Sequence, residues 1–217
     1  MKRETRSGGN TMSNVHLTIL YYSATGTNYR MAQIAAEAAR ELGAEVRVRK
    51  VAELAPREVI ETSPAWKAHV EATAHVPVAT PDDVAWADAV IFSVPSRFGN
   101  IPSQMKQFLD TLGPLWAKGL TANKVVSAMS SAQNPHGGQE ATILSLYTSM
   151  YHWGAIIAAP GFTDASAYAS GGNPYGTSVT LSENGEIDPG AQDAIRHQAR
   201  RTVTIASWIK QGQAVTV

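Results

Sequence analysis

The sequence predicts an α/β fold, a parallel sheet with helices on both faces, and three observations carry that prediction. Apolar runs of strand length alternate along the chain with amphipathic stretches of helix length. Ala89 to Val94 is apolar almost throughout, as expected of a central strand covered on both sides. Three of the runs also end in polar, glycine-containing loops, each followed at once by a helical pattern.

Taken in order, Val15 to Tyr22 reads as the first strand. Tyr29 to Leu42 reads as a helix with Met31, Ile34, Ala35, Ala38 and Leu42 on one face and Gly43 just past its end. Glu45 to Val51 alternates apolar and charged residues, the pattern of a strand buried on one face. Ala52 to Asp83 carries Pro56, Pro64, Pro77 and Pro81 and little periodicity, so a long excursion with one or two short helices is expected. Ala89 to Val94 follows as a strand, Ser96 to Asn100 as a loop, and Pro102 to Leu112 as a helix with Met105, Phe108, Leu109 and Leu112 facing inward. Lys124 to Met129 is a strand, Ser130 to Gly138 a loop, Glu140 to Trp153 a helix, Ala155 to Ala159 a strand, and Pro189 to Ile209 the last helix. Five parallel strands joined by right-handed crossovers point to a flavodoxin-like three-layer sandwich with strand order 2-1-3-4-5. Its ligand belongs at the carboxyl ends of strands one and three, where the order switches.

Composition narrows the function. The 217 residues suit one domain, 15–217, behind a disordered extension over Met1 to Asn14 in which Met12 is an alternative start. Met1 to Asn10 holds no apolar segment, so no secretory signal is read there, and the longest apolar runs are too short to span a bilayer. A cytoplasmic protein without membrane insertion is expected. The absence of cysteine excludes disulfides, thiolate catalysis and iron–sulfur ligation. Lys plus Arg equals Asp plus Glu, 18 each, which offers neither the basic excess of a nucleic-acid binder nor the acidic excess that steers a carrier to a basic partner. Small-molecule partners fit that balance best.

The topology brings three loops to one sheet edge. Ser23, Ala24, Thr25, Gly26, Thr27 and Asn28 form the first, with hydroxyls and free N–H groups at a helix N-terminus that suit a phosphate. No lysine follows the glycine, so this is not a Walker loop, and a monophosphate held by hydroxyls and amides without a fixed charge fits better than a triphosphate. The same residue types also make ordinary helix caps. In the second loop, Pro95, Ser96, Arg97, Phe98, Gly99 and Asn100, a flat ring can stack near Phe98 and bond to Ser96 and Asn100 while Arg97 counters negative charge; a plain turn over a core phenylalanine reads equally simply. Ser130, Ser131, Ala132, Gln133, Asn134, Pro135, His136, Gly137 and Gly138 make the third, or else a flexible connection. His136 and His152 lack further ligands at metal spacing, and G-x-S-x-G is absent after every strand, so neither a metal centre nor a serine hydrolase is read. His152 sits at a helix end, in the core or on a rim. Trp116 either anchors its own loop or faces an interface.

These segments, in this order, resemble the flavodoxin-like NAD(P)H:quinone oxidoreductases, the family first named tryptophan-repressor-binding protein. The likeness rests on Leu20-Tyr21-Tyr22-Ser23, Pro77-Val78-Ala79-Thr80-Pro81, Pro95-Ser96-Arg97-Phe98-Gly99-Asn100, Gln104-Met105-Lys106, Phe108-Leu109-Asp110, Leu115-Trp116-Ala117, Gly137-Gly138-Gln139-Glu140 and Gly171-Gly172-Asn173-Pro174-Tyr175-Gly176, and spans roughly Val15 to Ile209. It implies FMN, a homotetramer or a dimer, and ping-pong two-electron reduction of quinones by NADH or NADPH, with hydride passing through flavin N5. It further implies that Ser23 to Asn28 hold the FMN phosphate and that Ser96, Arg97 and Phe98 line the isoalloxazine with Ser131 to Gly137. His152 matches a flavin-site histidine, and Trp116 an aromatic of a substrate pocket shared between subunits. Arg97, His152 and Trp116 are thereby the catalytic candidates, with Phe98, Trp116 and His152 at the substrate. The chain departs from the family at Thr25 and Thr27, where an aromatic and a histidine are usual, in its less glycine-rich third loop, and over Ala52 to His75. A one-electron carrier and a regulatory protein-binding module are the alternative functions.

Overall fold

The computed structural model describes residues 14–181 and 185–215. The extension expected over 1–14 therefore lies, except for Asn14, outside the described residues. Strand β1 (His16–Tyr21) leads to helix α1 (Thr27–Glu41) and strand β2 (Glu45–Lys50). The excursion holds α2 (Arg57–Glu61) and α3 (Pro64–Ala72) and runs into α4 (Pro81–Trp86), one short helix more than the proline spacing predicts. Strand β3 (Ala89–Pro95) is followed by α5 (Ser103–Asp110) and α6 (Gly113–Ala117), then β4 (Val125–Ala132), α7 (Gln139–Trp153), β5 (Ile156–Ile157), α8 (Ser166–Ala169), β6 (Ser178–Thr180) and α9 (Pro189–Val215). The parallel sheet has the order β2-β1-β3-β4-β5, as the alternation of elements predicts.

Each strand feeds two cores because successive side chains point to opposite faces. Leu17, Ile19 and Tyr21 of β1 pack with Met31, Ala35 and Ala38 of α1 and with Ile195, Ala199 and Val203 of α9. Leu20, Val90, Phe92 and Val94 pack on the other face against Val84 of α4, Met105 and Phe108 of α5, and Ile143, Leu146 and Met150 of α7. Full burial of each such large side chain contributes roughly 1.5–3 kcal/mol, so both layers are needed to hold the sheet.

Three elements differ from expectation for local reasons. The helix predicted over Pro102 to Leu112 stops at Asp110, and Gly113-Pro114 starts a separate turn of helix that carries Trp116. Strand β4 continues to Ala132, so Ser130 and Ser131 belong to the sheet and not to the following loop. The fifth strand position is shared by two short pieces: β5 pairs with Val125–Val126 and β6 with Ser130–Ala132, with residues 158–177 bulging out between them. In that gap the N–H of Ala128 donates to the Tyr147 hydroxyl at 3.1 Å, and its carbonyl accepts from Gln198 Nε2 at 2.8 Å. Two buried side chains thus replace the missing strand and leave no orphaned backbone group. The chain returns at Gly176, where a Cβ would lie 1.9 Å from the Ala128 oxygen, so only glycine fits.

Candidate functional site

The first loop is shaped by its own serine and glycine. Ser23 Oγ accepts the Gly26 N–H at 2.9 Å, and Gly26 takes φ +98°, a left-handed conformation that L side chains rarely adopt. As the N-cap of α1, Gly26 contributes no side chain, so the first-turn N–H groups have no side-chain cap and point out of the helix end. The ordinary capping role of this loop is thereby excluded, while the helix dipole and open donors favour an anion. Thr25 is exposed at the tip, and Thr27 is buried beside it.

The second loop is a two-residue reverse turn. Arg97 and Asn100 exchange both backbone hydrogen bonds, at 2.9 and 3.0 Å, and Phe98 (φ 54°) with Gly99 (φ 75°) forms the tip. Positive φ at both tip residues is the type I′ pattern, which ordinarily takes Asn-Gly. A phenylalanine there costs about 1–2 kcal/mol, and its ring gains nothing back from the core, being 107% exposed. That overturns the core-phenylalanine alternative and leaves the ring free for a ligand. Arg97 is exposed, with its guanidinium bonded to the Ser96 carbonyl and in no ion pair with a described carboxylate.

The third loop is shorter than predicted because Ser130 and Ser131 lie in β4. Ser130 is fully buried, and its Oγ has no hydrogen-bond partner among the described residues. Gly137 and Gly138 press the loop onto its neighbours: a Cβ on Gly137 would meet that of Ala132 at 2.3 Å, and one on Gly138 would lie 2.7 Å from Gly99 Cα. Ser96 N–H donates to the Ser131 carbonyl at 2.8 Å, tying the second loop to β4. Gln133, Asn134 and His136 are exposed along the loop.

One buried network holds the three segments together. Asn28 is 1% exposed; its Nδ2 donates to Ser93 Oγ at 3.3 Å, and its Oδ1 accepts from Ser131 Oγ at 2.7 Å. Ser93 Oγ in turn donates to the Asn28 carbonyl at 2.9 Å. The side chains of Asn28 and Ser131, expected to contact a cofactor, bond to one another and to Ser93, a clasp joining α1, β3 and β4. Asn100 is similarly engaged: its Oδ1 accepts from Ile101 N–H at 2.8 Å and Ser145 Oγ at 3.0 Å. The predicted convergence is real, and part of it is made by residues predicted to bind.

Trp116 and His152 are elsewhere. Trp116 Nε1 donates to the His152 carbonyl at 2.8 Å, so the two are neighbours. Gly137, Gly138 and the start of α7 lie at the carboxyl edge, and α7 then runs 15 residues, about 22 Å, back along the sheet. His152 is in its last turn, and the next residues meet the amino edge, where Asn123 N–H donates to the Gly154 carbonyl at 3.0 Å just before β4. Within one chain neither residue joins the three loops. His152 is exposed and Trp116 is 56% exposed, so neither is a core residue.

The structure adds residues that motif reading passed over because they come from the irregular excursion. Glu53 accepts from Tyr22 Oη at 3.0 Å, Gln104 Nε2 at 2.8 Å, Trp66 Nε1 at 3.2 Å and the N–H groups of Leu54 and Ala55. Burial alone would raise its pKa, but these donors hold it below the usual carboxylate range. Burial, then the Glu53 charge, pushes the Tyr22 phenol up. His69 of α3 lies over Gly26, its Nδ1 3.4 Å from where a Cβ would sit, and against Tyr29 with ring centroids 5.8 Å apart. Lys50, at the end of β2, donates to the Thr73 carbonyl at 2.7 Å. No spacing rule links these residues to the first loop, and only the fold does.

Among the described residues no helix is long and apolar enough to cross a membrane. Residues 18–167 match the family model described as NADPH-dependent FMN reductase. The chain is 54% identical over 194 residues to a Deinococcus radiodurans protein named NAD(P)H dehydrogenase (quinone), covering 89% of this chain and 96% of that one. It is 42% identical to a Brucella abortus protein of the same name, covering 89% and 98%. A solved flavodoxin, described as a WrbA-like protein from Agrobacterium tumefaciens, superposes with TM-score 0.59 at 17% identity over 89% of this chain and 98% of its own, which shows the fold. The chain therefore belongs to the NADPH-dependent FMN reductase family and, within it, to the flavodoxin-like NAD(P)H:quinone oxidoreductases that its loops resemble.

Proposed function

We propose that this protein reduces quinones to hydroquinones with NADH or NADPH, on an FMN held by the three loops. The observation that carries the proposal is the carboxyl edge itself: an uncapped helix N-terminus built for an anion, beside a strained and fully exposed phenylalanine. The fit to FMN is good. Open N–H groups of Thr27 and Asn28, with the hydroxyls of Ser23 and Thr25, would hold the phosphate, and Phe98 with the Ser96–Gly99 and Gln133–Gly137 backbones would line the ring.

The flavin supplies the capacity to take a hydride from the nicotinamide and pass it to the quinone in two half-reactions. The chain's own work is to bind and orient. Arg97, unpaired with any described carboxylate, would offset negative charge near Phe98. Because Trp116 and His152 lie at the amino edge, we infer that they serve the pocket of a neighbouring copy, Trp116 as an aromatic wall and His152 as a proton donor or an ordering group. A homotetramer that shares its pockets accommodates that geometry, and the amino-edge position of both residues favours it.

The test is anaerobic. Protein purified with added FMN should bleach at the flavin band on adding NADH or NADPH and recover its absorbance on adding benzoquinone. A flavoprotein that neither nucleotide bleaches is not this enzyme. Light scattering on the same sample reads the assembly, and a monomer with full turnover rules out the shared pocket.

A further inference from the structure

The first loop carries no lysine, yet the fold places one behind it. Strand register pairs Lys50 with Tyr21, two residues before Ser23. Lys50, His69, Thr73, Glu53, Tyr21 and Ser23 border a small cavity of about 70 Å³ under the loop, room for a water or two and for no cofactor group. The Lys50 ammonium is fixed there by the Thr73 carbonyl, and His69, which lines the same cavity, packs against Gly26. We propose that Lys50 supplies, from behind the loop, the positive charge that selects the phosphate of FMN, with His69 as the spacer that seats the loop against it. The inference rests on reading Ser23–Asn28 as the FMN-phosphate loop.

Three observations support it. Charges in a partly buried gap are screened far less than exposed ones, so Lys50 acts at longer range here than a surface lysine. Its field already reaches the loop, because burial and then the Lys50 charge lower the pKa of His69, the residue touching Gly26. Glu53, the one carboxylate bordering this cavity, directs its hydrogen bonds to Tyr22, Gln104, Trp66 and two backbone N–H groups and none to Lys50. No described carboxylate pairs with Lys50, so its charge is left for an anion at the loop.

The experiment compares FMN with riboflavin, which lacks the phosphate, in fluorescence-quenching titrations of apoprotein at low salt. Wild type should prefer FMN. Lys50→Gln should cut that preference on the order of tenfold with riboflavin affinity unchanged, and Lys50→Arg should keep it. An unmutated control avoids any folding defect. Among the groups facing Lys50, Tyr21 and Tyr22 have raised pKa values and stay neutral, Glu53 stays ionised and His69 stays uncharged at alkaline pH. Lys50, whose pKa is lowered by burial, is then the group that loses charge, so the wild-type preference should fall in the alkaline range, below the pH at which an exposed lysine deprotonates. A wild type without preference for FMN removes the loop assignment and this inference together. A preference that Lys50→Gln and alkaline pH leave intact, or an equal loss for both flavins, overturns the role of Lys50 alone.

Discussion

The two edges of the sheet are built on opposite plans. At the carboxyl edge three loops are clasped by buried hydrogen bonds through Asn28, Ser93 and Ser131 and pressed together at Gly99 and Gly138. At the amino edge Trp116 and His152 share one hydrogen bond and stand exposed. One edge is tied together within the chain, and the other presents two exposed side chains that, on the proposed function, complete the pocket of a neighbouring copy. The contrast teaches that a binding surface needs its parts fixed to one another, whereas a contributed wall needs only to be presented.

Four substitutions test that contrast, in falling order of effect. Gly138→Ala should be the most damaging, since its Cβ would press on Gly99 Cα at 2.7 Å in a backbone with φ +88°. A loss of about 2–4 kcal/mol in denaturant melts, together with loss of bound FMN, is expected. Asn28→Ala leaves Ser131 and Ser93 without their partner and should cost about 1–3 kcal/mol, weakening FMN in the same protein. If FMN affinity drops at Asn28→Ala with no change in melting, the residue binds directly and is no clasp. Trp116→Ala should leave apoprotein stability within about 0.5–1 kcal/mol of wild type and retain FMN while raising quinone KM several-fold. An unchanged KM would remove it from the pocket. Phe98→Gly is expected to move in the other direction, stabilising the fold by about 0.5–1 kcal/mol through relief of the left-handed strain while turnover falls. A less stable Phe98→Gly protein would show that the ring packs on its own chain.

Much of this is legible in the sequence. The strand order followed from alternating apolar runs, and Ser23–Asn28, Arg97–Asn100 and Gly137–Gly138 were recognisable because local chemistry at a strand end needs unusual backbone. What sequence reading missed is as instructive. Asn28, Asn100 and Ser131 look like ligand donors because a polar side chain reads the same whether it faces solvent or a buried partner. Glu53 and His69 were invisible because nothing in a proline-broken excursion says which surface it folds against, and Lys50 because strand alternation does not say what lies beyond the end of β2. Strand β6 escaped notice because three residues carry too little periodicity, and its place is set by Gly176, Tyr147 and Gln198 meeting at Ala128.

By itself, then, the sequence determined the layers, the strand order and the location of the glycine-containing loops at the carboxyl edge, all properties that depend on hydrophobic period and on backbone preference within a few residues. Tertiary structure alone decided which polar groups hold the loops and which are left exposed, that Trp116 and His152 stand at the far edge, and that Lys50 borders the cavity under a loop without a lysine. Those outcomes depend on which segments meet across dozens of residues, and packing, not local preference, makes that choice.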